Sequence, residues 1–259
     1  MPTIKPTLKP RSRPILILQL RPEDATADSE YACMLKYGEL DADATHRIRI
    51  EKNGIPDDLN IDDYSGIIVG GSPFDISTPA EEKSAIQNKI EADFDRLLER
   101  VVDEDFPFLG ACSGNGLLGN YLGTPITRKY GEAVGCATLD ITEAGRSDKL
   151  LQGFPDRIDV LLGHKEAVDD TPGGATLLIT GKNCPVQMFR VGDNVYATQF
   201  HPEGDAEEFA LRIDIYANHG YFEPHEADEL KRRCSRSTPY AQEILRRFVA
   251  LCLENRNAS

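Results

Sequence analysis

Gly110-Ala111-Cys112-Ser113-Gly114 places a thiol at the middle of a glycine-flanked pentapeptide, directly after an apolar run and before a stretch with helical character. A nucleophile on a tight strand-to-helix turn sits in strained backbone, and its neighbours two residues away must pack closely; glycine at both positions leaves that room. The helix that follows offers free backbone N–H groups and a positive dipole end, which favours a thiolate at Cys112. A thiol nucleophile needs a base, and the base needs an orienting group. Gln199-Phe200-His201-Pro202-Glu203 supplies both: a carboxylate two residues from a histidine can hold one ring nitrogen and leave the other for the thiol. Gly70-Gly71-Ser72-Pro73 closes a third apolar run. A glycine there lets a backbone N–H approach a substrate oxygen, and with the Ser113 amide it makes a two-donor oxyanion hole. The chemistry implied is acyl transfer through a thioester.

These residues require elements to hold them. Pro14–Leu20 is apolar on both alternations, the pattern of a strand buried on two faces. Asp28-Ser29-Glu30 offers capping chemistry for a helix over Tyr31–Leu40, and His46–Ile50 alternates as a second strand. Ile67–Val69 is a third strand, Pro79 opens a long helix to about Val102, and Phe106–Ala111 is a fourth strand before a short helix over Gly114–Leu122. Such alternation predicts an α/β fold with a mostly parallel central sheet flanked by helices. From 125 to 200 short β segments dominate (Glu132–Thr142, Asp159–Gly163, Thr176–Thr180, Val186–Val191, Val195–Phe200), read as a small antiparallel extension plus returning strands. From Asp205 the pattern is helical, interrupted at Gly220 and near Pro224 and Pro239. The division expected is a loose N-terminal arm over 1–13, one domain over 14–204, and a helical tail over 205–259 packed on that domain.

Composition narrows the partners. The 259 residues carry 43 acidic and 29 basic side chains, a formal charge of −14. Such a chain repels phosphate backbones, so nucleic acid is not an expected partner. No apolar run reaches the ~18–20 residues needed to span a bilayer, so no membrane is expected. Six cysteines without a CxxC, in a chain with no signal-like apolar stretch at its start, read as free thiols of a cytoplasmic protein. His164-Lys165-Glu166 and His201-Pro202-Glu203 are two H-x-E units that could ligate a metal, but the cysteine elbow already accounts for one of them, and no metal or cofactor is expected. The P-C-x-x-C partner of zinc deaminases is absent, as are P-loop and dinucleotide fingerprints. His46 and His219 read as structural, and Lys231-Arg232-Arg233 and Arg246-Arg247 as solvated helix faces.

In this order, the GG turn, the G-x-C-x-G elbow and the strand-terminal His201-Pro202-Glu203 resemble the class I (triad-type) glutamine amidotransferase domain, over roughly residues 14–205. Gly163–Val168 is similar to the His-containing loop of the subgroup related to GMP synthase amidotransferase subunits. The resemblance implies a flavodoxin-like fold, a Cys112–His201–Glu203 triad, and Gly71 and Ser113 amides as the oxyanion hole. It also implies that the chain releases ammonia from glutamine. Asn115, Gly116 and His164 are the residues it offers for the substrate pocket. One departure matters: the family pattern commonly continues G-x-C-x-G-x-Q, and Gly116 stands where that Gln would be. Three functions follow: a glutaminase serving a separate synthetase partner, a stand-alone hydrolase of γ-glutamyl or other small amides, and a non-catalytic binding relative. A homo-oligomer is compatible with all three.

Overall fold

In the computed structural model, residues 13–217 and 222–255 are described. The N-terminal arm expected over 1–13 therefore lies, except for residue 13, outside the described residues, as do His219 and Gly220.

β1 (Ile15–Gln19) is buried at every position and lies between β2 (Thr45–Arg49) and β3 (Gly66–Val69), parallel to both. Between β1 and β2 runs α1 (Asp24–Gly38); a single helical turn, α2 (Ile50–Asn53), follows β2. α1 begins earlier than its capping signal at residues 28–30. The Glu23 carbonyl accepts from the Ala27 N–H and the Thr26 hydroxyl, so the turn closes there instead. α3 (Ala85–Asp103) begins later than Pro79, because Ser84 Oγ accepts from the Gln87 N–H and caps it. β4 (Phe108–Ala111) and α4 (Ser113–Tyr121) follow as expected.

The remaining strands are β5 (Ile126–Thr127), β6 (Glu132–Ile141), β7 (Arg157–His164), β8 (Ala167–Val168), β9 (Thr176–Thr180), β10 (Met188–Val191) and β11 (Val195–Thr198), with a helical turn, α5 (Glu143–Arg146), between β6 and β7. The main sheet has the order β2-β1-β3-β4-β11-β10-β9-β6-β7. The run from β2 to β11 is parallel; β10, β9, β6 and β7 continue the same sheet antiparallel, while β5 and β8 pair apart from it. The short β segments thus extend one sheet. The chain ends with α6 (Ala206–Tyr216), α7 (Ala227–Arg233) and α8 (Pro239–Asn255).

Alternation along β1 sorts the core into two layers. Ile15 and Ile17 join Met34 of α1 and Ile244, Leu245 and Phe248 of α8 on one face. Leu16 and Leu18 join Ile90, Phe94, Leu98 and Val101 of α3 on the other. Helices cover both faces of the parallel half, the arrangement that buries a parallel sheet. Because β3, β4 and β11 are adjacent and parallel, their carboxyl ends lie on one edge, in register through Val69 opposite Gly110 and Ala111 opposite Thr198. That edge carries the GG turn, the cysteine elbow and the histidine, and it is where open α/β sheets form their ligand crevices.

Candidate active site

Cys112 has φ 52° and ψ −94°, one of three non-glycine residues with positive φ among those described. Its N–H donates to the Thr198 carbonyl at 2.8 Å, and its carbonyl accepts from the Asn115 and Gly116 amides, so strand β11 on one side and helix α4 on the other fix the turn. The flanking glycines have the steric role their spacing suggests. A Cβ on Gly110 would stand 2.7 Å from the Gly114 backbone, and one on Gly114 would meet Val69 at 3.3 Å. Gly110→Ala is therefore expected to lower stability by roughly 1–3 kcal/mol, as overpacking against backbone does. A thermal melt checks this; an unchanged Tm would show that the first turn of α4 can give way.

His201 is 2% exposed, and its N–H donates to the Leu161 carbonyl of β7, so the antiparallel half of the sheet helps seat it. Its Nδ1 lies 2.6 Å from Glu203 Oε1. With Nδ1–H donating to that carboxylate, Nε2 is left with its lone pair. His201 and Cys112 share the wall of a cavity of about 70 Å3 with Arg21, Phe209, Arg212 and Phe222. Cys112 also borders a second cavity of about 50 Å3, walled by Ser113, Gly116, Asp75, Lys165, Glu166 and Gln199 among others.

A buried charge cluster surrounds the imidazole, and nothing in the sequence motifs announces it. Arg212 of α6 places Nη1 3.1 Å from His201 Nδ1 and 3.2 Å from Nε2, while its Nη2 is 3.2 Å from Glu203 Oε1 and 3.3 Å from Glu30 Oε1. Near-equal distances to both ring nitrogens place Nη1 midway between them. Arg212 also pairs with Glu208 one turn earlier on α6. Glu30 lies inside α1, fully buried, and accepts from Gln19, from Arg21 at 2.8 Å and from the Gly71 amide at 3.2 Å. It is a hub of the site and not a helix cap. The i, i+4 spacing of Glu208 and Arg212 is visible in the sequence, but any solvated helix face shows such pairs.

Electrostatics follow from burial. Desolvation raises the Cys112 thiol to about 11, against the opposing pull of Arg21 and Arg212. A thiol raised this far is protonated near neutral pH. Burial, with Arg212 and Arg21 adding to it, lowers His201 below 6.5 despite Glu203. Burial would raise Glu203, but His201 and Arg212 hold it down at about 2. Glu208, dominated by burial, rises to about 8. The resting pair is a neutral thiol and a neutral imidazole, beside an ionised Glu203.

The other expected site residues are distributed unevenly. Ser113 supplies the first amide of α4, which has no partner within the helix, and it borders the smaller cavity. The Gly71 amide, expected to face a substrate oxyanion, donates to Glu30 instead; Ser72, one residue on, borders both cavities with Cys112. Gly116 faces the smaller cavity, and a Cβ there would lie 2.9 Å from Ile76 Cδ1, so Ile76 takes part of the space a longer side chain would use. Asn115 is fully buried and borders neither of these two cavities. His164 borders the smaller cavity, but its Nδ1 contacts the Glu166 carbonyl and its Nε2 contacts Glu132, so the ring holds the β7–β8 loop in place.

Two groups could in principle offer metal ligands: Glu132, His164 and Cys184, and Glu30, His201 and Glu203. In the first, the protein's own hydrogen bonds already occupy both imidazole nitrogens, and the Cys184 thiol donates to the Val186 carbonyl. In the second, Arg21 and Arg212 supply the positive charge a cation would bring. All six cysteines are free thiols. Among the described residues no helix is long and apolar enough to cross a membrane.

Known proteins resemble the chain in sequence and in fold. The chain is 26% identical over 201 residues to gamma-glutamyl peptidase 3 of Arabidopsis thaliana, covering 74% of this chain and 75% of that protein. It is 26% identical over 162 residues to a subunit of the glutamine-hydrolyzing GMP synthase of Pyrococcus abyssi, covering 60% of this chain and 78% of that one. Bacterial GMP synthases also match, but the chain spans only 22–27% of their length. The structure of a glutamine amidotransferase from Thermotoga maritima superimposes with a TM-score of 0.73 at 20% identity, covering 95% of this chain and 99% of that one. The family model for class-I glutamine amidotransferases matches residues 39–214. With that match spanning well over half of its length, the chain belongs to the class-I glutamine amidotransferase family.

Proposed function

We propose that this protein is a cysteine-dependent amidohydrolase that cleaves the side-chain amide of a glutamyl group, with glutamine as the reference substrate. The observation that carries this reading is the strained Cys112 sharing a cavity wall with a buried His201 whose Nδ1 is held by Glu203. The neutral His201 takes the Cys112 proton as sulfur attacks the amide carbon, so no resting thiolate is required. The oxyanion that develops is met by the Ser113 amide and by the Ser72 amide, which takes the place expected of Gly71. The imidazolium then protonates the leaving nitrogen, and water hydrolyses the thioester. The smaller cavity is the more polar of the two: its wall includes Asp75, paired with Arg128, and Glu166, which accepts from the Ile76 and Ser77 amides, and it takes the polar glutamyl end.

Two settings are consistent with this chemistry. In one, ammonia passes to a separate synthetase chain, a setting suggested by the Pyrococcus abyssi relative, which is named as one subunit of a GMP synthase. In the other, the chain acts alone on γ-glutamyl amides, a reading favoured by Gly116 and by the likeness to a gamma-glutamyl peptidase. The test common to both is ammonia release from glutamine by the purified protein, with covalent labelling of Cys112 by a glutamine-like chloroketone. A chain that releases no ammonia, and whose Cys112 reacts no faster than the other five cysteines, would overturn the proposal.

The pH profile gives a further check. The active form carries a neutral imidazole and a neutral thiol, so it persists between their two pKa values. The acid limb of kcat/KM should therefore have its midpoint below pH 6.5, and the alkaline limb its midpoint at about pH 11. A profile that rises through pH 8 with a thiol-like midpoint would show instead that the thiolate must form before substrate binds.

A further inference from the structure

We infer that the larger cavity, on the His201 side of Cys112, is a leaving-group subsite that admits amides whose amine half is apolar, aromatic amines above all. This inference rests on the amidohydrolase reading and names its substrate class.

Cys112 stands between two cavities that differ in chemistry. Cys112 borders both cavities, so with the amine half on the His201 side the acyl half of a substrate is left the smaller, more polar one. The departing nitrogen must lie beside the general acid, which is His201, and His201 borders only the larger of these two cavities. Glutamine releases ammonia, a molecule of water's size, for which ~10–15 Å3 suffices. About 70 Å3 is present.

The walls say what would fill the rest. Val134, Phe209, Ile213, Tyr216 and Phe222 present apolar bodies, and the Phe209 ring meets the His201 ring edge-on at 5.5 Å between centroids. The two cations on the wall are already engaged: Arg21 pairs with Glu30, and Arg212 with Glu30, Glu203 and Glu208. The Tyr216 hydroxyl donates to Glu23 and accepts from Arg21. Polar groups satisfied within the protein do not call for a charged ligand, while apolar walls gain from burying an apolar one.

The step balances as hydrolysis. Sulfur forms a bond to the amide carbon while its proton moves to His201 Nε2. The carbon–nitrogen bond then breaks, its electron pair leaves with nitrogen, and the imidazolium proton completes the free amine. Water adds to the thioester, giving glutamate and the thiol. No oxidant, reductant or co-reactant enters.

The test compares kcat/KM for γ-L-glutamylanilide, γ-L-glutamyl-L-phenylalanine and glutamine, in the wild type and in Val134→Phe, where a half-buried residue is enlarged into the cavity. The expected result is that wild type prefers the anilide over glutamine at least tenfold and that Val134→Phe reduces that ratio at least tenfold. Phe222→Ala, which removes a half-buried wall, is expected to raise KM for the anilide several-fold relative to glutamine; it serves as the second variant should Val134→Phe not fold. Release of ammonia from glutamine without release of aniline or phenylalanine would overturn the subsite and leave the amidohydrolase reading standing. An equal loss on all substrates in both variants would also overturn the subsite. No turnover of any of the three would overturn the amidohydrolase reading and the subsite with it.

Discussion

Cys112→Ala is expected to abolish ammonia release, lowering kcat by about 10^6-fold, the size of loss seen when the nucleophile of a covalent hydrolase is removed. The expectation follows from position as well as residue type. Of the six cysteines, Cys112 is the one that borders both cavities and shares a wall with His201. Cys33, Cys184, Cys234 and Cys252 are buried, with thiols raised by desolvation, and none of them borders either cavity. A companion variant separates mechanism from stability. Holding a non-glycine residue at φ 52° stores strain of order 1–3 kcal/mol, which Cys112→Gly should relieve. The glycine variant is expected to melt at a higher temperature than wild type while being as inactive as the alanine one. A Cys112→Ala protein with wild-type activity would end the thioester mechanism.

Arg212→Met is expected to have the second largest effect, on stability and on the pH profile together. Its guanidinium is 8% exposed and lies among Glu30, Glu203 and Glu208. Removing one partner from a buried ionic cluster leaves charge uncompensated and typically costs about 3–5 kcal/mol. For a chain of this size that corresponds to a Tm lower by roughly 6–20 °C. The pH readout distinguishes positioning from packing. Arg212 is one of the causes that lower the His201 pKa, so its loss should move the acid limb of kcat/KM upward in pH. Arg212→Lys keeps the charge but not the planar fork, and should shift the limb less while recovering part of the stability. A Met variant with reduced Tm and an unmoved acid limb would make Arg212 a structural residue only.

The chemistry and the architecture were legible from the chain for separate reasons. Strands buried on both faces read as unbroken apolar runs, so Pro14–Leu20 and Phe106–Ala111 announced a parallel sheet without any tertiary information. The steric demand of the elbow is equally local: Gly110 and Gly114 are needed by the turn itself, which is why the turn could be located. Element edges were less legible. α1 starts at Asp24 and α3 at Ala85 because competing hydrogen bonds, the Glu23 carbonyl in one case and Ser84 Oγ in the other, select among several plausible first turns.

What the sequence determined by itself was the residue types that can perform acyl transfer and the strand ends that carry them, since both are set by neighbours within a few positions. The tertiary structure decided the rest. It committed the Gly71 amide to Glu30, buried Asn115 fully, and brought Arg21, Glu30 and Arg212 together from β1's exit, α1 and α6. It also raised the Cys112 thiol, because burial there outweighs the pull of Arg21 and Arg212. Contacts such as that of Glu30 with Arg212, 182 positions apart, and the desolvation they create, leave no periodic mark on a chain; a charge on a helix reads the same whether it meets water or the interior.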